Sequence, residues 1–367
     1  MPASMPTSAP MPIFDLHCDT ADRIAWHALA DDLKDALGKG FYGRSDAADP
    51  AGARSLTRNH CHVSLEKIGD MPLAQCFACF VPDELSPKQA VRFYDQVCAY
   101  FGDELARNAA AVVPARTMGE LHAVLEPRAA AEPREGADTG GPDRPHAPRV
   151  AALRTIENAR MFAADLGLVE RYARDGLLMA SLSWNAPGPL ACGPDAHEGL
   201  SALGRAALRE MERCRVVLDV SHLNDECLAD VARLATRPFV ASHSNARAVC
   251  AHPRNLTDRQ FAEIRERGGL VGLNYCGGFL VEGAWGDAAA QVTFEQTVAH
   301  IEHWLDLGGE DVVALGGDLD GARVPAFLDG ADKLPAFANA LVTRFGKRLA
   351  RKLCYGNALA FFERNEE

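Results

Sequence analysis

The chain has 367 residues, 48% hydrophobic and 24% charged, ordinary globular usage that supports a large core and excludes a predominantly disordered or fibrous protein. Its 38 basic side chains stand against 50 acidic ones, a formal charge of −12, with no basic block of the kind that binds nucleic acid or an anionic membrane. No stretch reaches the ~18 apolar residues of a membrane helix, and the start, MPASMPTSAPMPIFD, lacks a basic segment leading into an apolar one, so a soluble, cytoplasmic protein is expected.

Residues 1–11 are rich in Pro, Ser and Met and are expected to be an unstructured extension of a single domain spanning 12–365. Apolar or β-branched runs then recur at Pro12–His17, Leu73–Val81, Val150–Glu157, Leu177–Trp184, Val216–His222, Pro238–His243, Gly269–Tyr275 and Val312–Asp318. Amphipathic segments lie between them: Lys88–Asn108, Glu198–Cys214, Asp225–Ala235, Thr257–Arg267 and Thr293–Leu307. Strands alternating with helices predict parallel βαβ units, and eight of them predict a closed (β/α)8 TIM-type barrel. In Thr257–Arg267, Leu256-Thr-Asp followed by Glu263 predicts the helix start, and Gly268-Gly269 the stop. Residues 127–149 hold too few apolar side chains to order against a core and read as an exposed insertion. The 11 cysteines are odd in number and lie mostly in apolar runs (Cys18, Cys76, Cys79, Cys214, Cys276), which speaks against a disulfide framework.

In such a barrel the reactive groups sit at the carboxyl ends of the strands, and these runs end in polar side chains. The first ends Asp15-Leu-His17-Cys-Asp19, the third in Glu157, the fifth in Asp219-Val-Ser-His222, the sixth in Ser242-His243 and the eighth in Gly316-Gly-Asp318-Leu-Asp320. Residues two apart on a strand share a face, so His17 and Asp19 can converge while Leu16 and Cys18 point elsewhere. His222 and His243 are one βα unit apart and belong on adjacent strands. Imidazole with carboxylate suits zinc with open positions for water. Occupying all five donors takes two ions, with Glu157 bridging a His17/Asp19 site and a His222/His243 site at the ~3.5 Å separation of two-metal hydrolysis. Metal-bound water with its pKa lowered towards ~7 would supply the nucleophile, and Asp318 could orient it, take its proton or pair with a substrate amine. Each piece alone has a plainer reading as a strand-end cap or a buried, hydrogen-bonded histidine. It is the coincidence of all five at strand ends that points to a metal centre.

These residues resemble the membrane (renal) dipeptidase family in its bacterial form, from Ile13 to about Phe362, through FDLHCDT, ALRTIE, VVLDVSH, FVASHSNARAVCAHPRN and ALGGDLDG. The resemblance implies a zinc dipeptidase with two Zn²⁺ per chain: His17 and Asp19 on the first ion, Glu157 bridging, His222 and His243 on the second. It also implies that Arg254 grips the dipeptide carboxylate, that Asp318 lies near the amine and the attacking water, and that a D-residue is tolerated at the C-terminal position. Two features depart from the family. Trp184 stands where mammalian-type members have a histidine that contacts the substrate carbonyl, and its indole offers one donor and no charge. Asn158-Ala159 replace a frequent glycine pair, and are expected to narrow the room beside the metals. Trp184 therefore keeps open another amide or a lactone as substrate, and a metal-binding barrel without catalysis is the remaining alternative. A homodimer is left open.

Other signals are set aside. Cys76-Phe-Ala-Cys79 has no second pair to complete a zinc ribbon. His60-Cys-His62 precedes the second strand and is expected at the wrong end of the barrel for a ligand. His252 is read as part of a turn holding Arg254. Gly316–Gly321 lacks the later Glu of a calcium loop.

Overall fold

The computed structural model describes residues 10–38, 54–126 and 148–366. The expected N-terminal extension up to residue 9 and the insertion from 127 to 147 lie outside the described residues. The strands are β1 (Ile13–Cys18), β2 (Leu73–Phe80), β3 (Val112–Pro114), β4 (Val150–Glu157), β5 (Leu177–Ser181), β6 (Val217–Asp219), β7 (Val240–Ala241), β8 (Leu270–Leu273) and β9 (Val313–Leu315). All pair in parallel, in the order β2-β1-β9-β8-β7-β6-β5-β4, and β2 pairs with β4 to close an eight-stranded barrel surrounded by helices.

The eight expected runs are the eight barrel strands. The ninth, β3, adds to the start of β4, where Val112 faces Val150, while β5 pairs further along, from Arg154. β4 thus carries two short neighbours in succession on the edge away from β2. The strands β6, β7 and β9 are shorter than the sequence predicts, ending at Asp219, Ala241 and Leu315. Beyond them His222 and Asp318 take left-handed backbone, with φ of 69° and 54°, which a parallel ladder cannot accommodate.

The five expected helices form at Pro87–Arg107, Ala202–Arg213, Asp225–Leu234, Asp258–Glu266 and Phe294–Asp306. The Asp258–Glu266 helix starts on a capping box between Thr257 and Gln260, so the partner of Thr257 is Gln260 and not Glu263. Three residues in place of six match the reach of that reciprocal pair. Gly268 ends the following turn with φ 71°, as only a residue free of Cβ does cheaply. The core fills the barrel and the space beneath the helices, with Trp304, Tyr172, Tyr275, Phe14 and Phe77 among its largest fully buried side chains. All eleven cysteines are free thiols. No helix among the described residues is long and apolar enough to cross a membrane.

Candidate metal centre

The carboxyl ends of β1, β4, β6 and β7 bring all five expected donors together, each almost fully buried. His17 Nε2 lies 3.0 Å from Glu157 Oε2 and 3.4 Å from Asp19 Oδ1. The other Glu157 oxygen is 2.9 Å from His222 Nε2, which lies 3.0 Å from His243 Nε2. Glu157 therefore faces a histidine with each oxygen, as a bridging carboxylate must. Asp318 joins the cluster: its carboxylate, the His17 imidazole and the Asp19 carboxylate offer atoms within 4.8 Å of one another, as do His17, Glu157 and His243.

The hydrogens decide what this cluster can hold. His222 Nδ1 is 3.1 Å from the side-chain carbonyl of Asn185, which can only accept, so the proton sits on Nδ1 and Nε2 presents a lone pair. His243 is fixed through a serine. Asp219 accepts the backbone N–H of Ser221 and Ser242 and the Ser242 hydroxyl. That hydroxyl has one hydrogen, given to Asp219, so it must accept from His243 Nδ1 at 2.7 Å. His243 Nε2 is again a lone pair. Two lone pairs 3.0 Å apart, facing a carboxylate oxygen at 2.9 Å, repel unless a cation lies among them. The observed spacings match the roughly 3.3 Å between ligand atoms set by zinc bonds of ~2.0–2.1 Å in tetrahedral geometry. His17 Nε2 and Asp19 Oδ1, both buried, have no hydrogen-bond partner, so the residues present fit a metal ion. Orienting groups of this kind tune metal affinity by 10–100-fold. Replacing Ser242 by Ala is thus expected to weaken metal binding about tenfold in a chelator competition with little loss of fold; unchanged affinity would remove the serine from the chain of command over His243.

The electrostatics agree. Burial, reinforced by Arg254, pushes His222 down to about 4, and burial with the neighbouring cations His17 and Arg254 holds His243 well below its usual range; both are neutral and able to ligate. Burial disfavours charge on His17, but Asp19 and Glu157 outweigh it and raise its pKa; a bound cation would take that proton's place. Burial also opposes ionisation of Glu157, yet the charged imidazole of His17 beside it holds its carboxyl well below the usual range. Burial, with Asp19 and Glu157 nearby and against the pull of His17, raises Asp318 to about 7. Asn274 donates to Asp318 at 3.0 Å and to the His243 carbonyl at 3.2 Å, tying the ends of β7 and β9 together.

Asn158, directly after Glu157, has φ 64°, which explains a glycine preference there and which Asn tolerates better than most residues. Its side chain bonds Val81 and Asp83, and neither Asn158 nor Ala159 lines the cavity. The expected narrowing is therefore corrected: the extra atoms point into the wall. A cavity of about 460 Å³ opens over the cluster, lined among others by Asp19, Glu157, His222, Asp318, Phe80 and Trp184. The Trp184 ring lies 6.4 Å from that of His222 and 4.9 Å from that of Phe80. Arg254 is only 5% exposed and sits beside this cavity, with its guanidinium 3.5 Å from the His243 carbonyl and 5.3 Å from the centre of the Phe279 ring, which does line it. Among the described residues it makes no ion pair, and its Nε has no partner, an expensive state for a buried cation unless an anion arrives. His252 accepts the Arg254 N–H, in keeping with a turn that holds the arginine.

His62 belongs to the catalytic rim after all. Its N–H donates to Asp320 at 2.6 Å, its Nδ1 accepts from the Asp320 N–H at 2.8 Å, and its carbonyl accepts from Ala331. The described stretch that leads into β2 brings His62 to Asp320 at the carboxyl ends, so position before β2 in sequence did not mean the opposite end. His62 serves as a tie there, its Nδ1 already used. Asn185, Asn274 and the Ser242–Asp219 pair were missed as orienting groups; of these only Ser242 adjoins a donor, His243, in sequence.

A profile of Membrane dipeptidase (Peptidase family M19) matches residues 140–367. A metallo peptidase from Rhodobacter sphaeroides, solved with a phosphinate mimic of the dipeptide L-Ala-D-Ala, superposes with a TM-score of 0.78 at 27% identity, covering 97% of this chain and 99% of that one. An uncharacterised protein from the pqqA 5′ region of Klebsiella pneumoniae is 34% identical over 219 residues, 57% of this chain and 80% of that protein. An uncharacterised dipeptidase of Schizosaccharomyces pombe is 29% identical over 51% of this chain, which spans 46% of that protein.

Proposed function

The chain belongs to the membrane dipeptidase family and is a metallodipeptidase, and from that premise we propose that it is a zinc enzyme hydrolysing the amide bond of dipeptides at the His17–Asp19–Glu157–His222–His243 cluster. The observation that carries the reading is the pair of proton-free Nε2 atoms of His222 and His243, 3.0 Å apart beside a carboxylate. Two Zn²⁺ held by these five residues would supply a lowered water pKa and Lewis acidity towards the scissile carbonyl. The chain's own groups do the rest. Arg254, buried and without an ion pair, receives the dipeptide carboxylate by a bidentate fork. Asp318, whose carboxyl is raised by burial beside Asp19 and Glu157, takes or returns a proton at its free oxygen while Asn274 holds the other. Burial of the cluster excludes bulk water and strengthens these contacts.

Trp184 supports a second reading, hydrolysis of another amide or a lactone, because no imidazole stands at its place to contact the carbonyl. Metal analysis of the purified protein, with a panel of dipeptides, N-acyl amino acids and lactones assayed before and after chelation, separates them. About two zinc ions per chain and chelator-sensitive hydrolysis confined to dipeptides are expected; metal-free protein, or activity that Asp318→Asn leaves intact, would overturn the assignment. A cytoplasmic site of action forms part of the same proposal.

A further inference from the structure

The cavity has a second aromatic wall, on the side of Arg254. Trp285 is 51% exposed, the most exposed large hydrophobic side chain among the described residues. Its ring is nonetheless fixed. It lies flat on the bare backbone of Gly278, where a Cβ would come within 2.4 Å of three ring carbons. The Phe279 ring meets it edge-on at 5.6 Å and 85°, and the His252 ring stands 5.6 Å away. The Trp285 backbone N–H donates to the Gly283 carbonyl and its backbone carbonyl accepts from the Ala288 N–H. One face is thus backed by packed groups while the indole lines the cavity beside Phe279, whose ring is 5.3 Å from the Arg254 guanidinium.

We propose that Trp285, braced by Gly278 and Phe279, is the platform for the side chain of the dipeptide's C-terminal residue and selects aromatic or large apolar side chains there. This rests on the dipeptidase reading: if Arg254 takes the terminal carboxylate, the side chain on the same carbon falls beside the Phe279–Trp285 wall. A rigid aromatic surface gains from apolar contact without ordering itself first, and a contact of this size discriminates by about 10–200-fold in kcat/KM.

The test compares Ala-Phe, Ala-Gly and Ala-Asp on zinc-loaded wild type, Trp285→Ala, Trp285→Phe and Gly278→Ala. Wild type is expected to favour Ala-Phe over Ala-Gly by about tenfold or more, chiefly through KM. Trp285→Ala should bring that ratio near one, Trp285→Phe should keep most of it, and Gly278→Ala should lower it by displacing the ring. Thermal melts of the variants check that the fold is retained. A ratio unchanged in Trp285→Ala overturns the proposal, as does a preference for Ala-Asp, which would give that wall to the exposed Arg323 at the cavity mouth. Hydrolysis of all three peptides at equal rates sinks the platform alone, whereas hydrolysis of none sinks the dipeptidase reading beneath it.

Discussion

Glu157→Gln is expected to lower dipeptide hydrolysis by about 10³-fold or more and to reduce bound metal below two ions per chain. Each oxygen of Glu157 faces a different histidine, His17 at 3.0 Å and His222 at 2.9 Å, so its carboxylate reaches both halves of the cluster. The amide is nearly isosteric and leaves the packing intact, but it lacks the charge, and its NH₂ offers no lone pair to a cation. Loss of an orienting group alone costs 10–100-fold in affinity or activity, and a shared ligand must cost more. Circular dichroism should show an unchanged fold, and metal analysis should show the deficit. Full metal content together with full activity would mean that Glu157 is not shared between ions.

Arg254→Ala is expected to lower kcat/KM on dipeptides by about 10²- to 10³-fold, the cost of removing one partner of a buried charge pair, while Arg254→Lys recovers only part because an ammonium cannot reproduce the fork. The arginine also measures length. A tripeptide moves its carboxylate away and forfeits a charge-assisted contact of about 1.5–3 kcal/mol, so the wild type should prefer dipeptides and the alanine variant should lose that preference. A matched dipeptide and tripeptide, assayed on both proteins, decide it; equal wild-type rates would remove Arg254 from carboxylate recognition. Metal content should not change in either variant, since the guanidinium touches the His243 carbonyl and no ligand atom.

The barrel was legible in the sequence because its eight strands are apolar runs bounded by polar ends, and the donors because barrels concentrate function at those ends. What escaped had physical reasons. β3 is three residues with a proline at its end, too short for any periodic signal. The early ends of β6 and β9 follow from left-handed turns at His222 and Asp318, and neither is the glycine that would announce one. His62 was assigned to the wrong rim because chain order does not say which rim the residues before a strand reach. Arg254 was readable from its motif, but its place beside the cavity and not in it depends on Phe279. Trp285 has meaning only against Gly278, a pairing that no local pattern carries. Apart from Arg254, the members of the site that sequence order does reveal lie on strands or within a few residues of their ends; those that arrive from longer connections need the fold.

The positive φ at Asn158, His222, Asp318 and Asp320 bears on how this rim can be taken apart. Only glycine, and to a lesser degree Asn, Asp and His, adopts that conformation without a penalty of about 1 kcal/mol or more. Branched replacements at His222 or Asp318 would therefore alter chain direction along with chemistry, and their inactivity would say nothing about which atoms react. The same restriction limits which residues these four positions can hold, so there the backbone narrows the alphabet before catalysis selects from it.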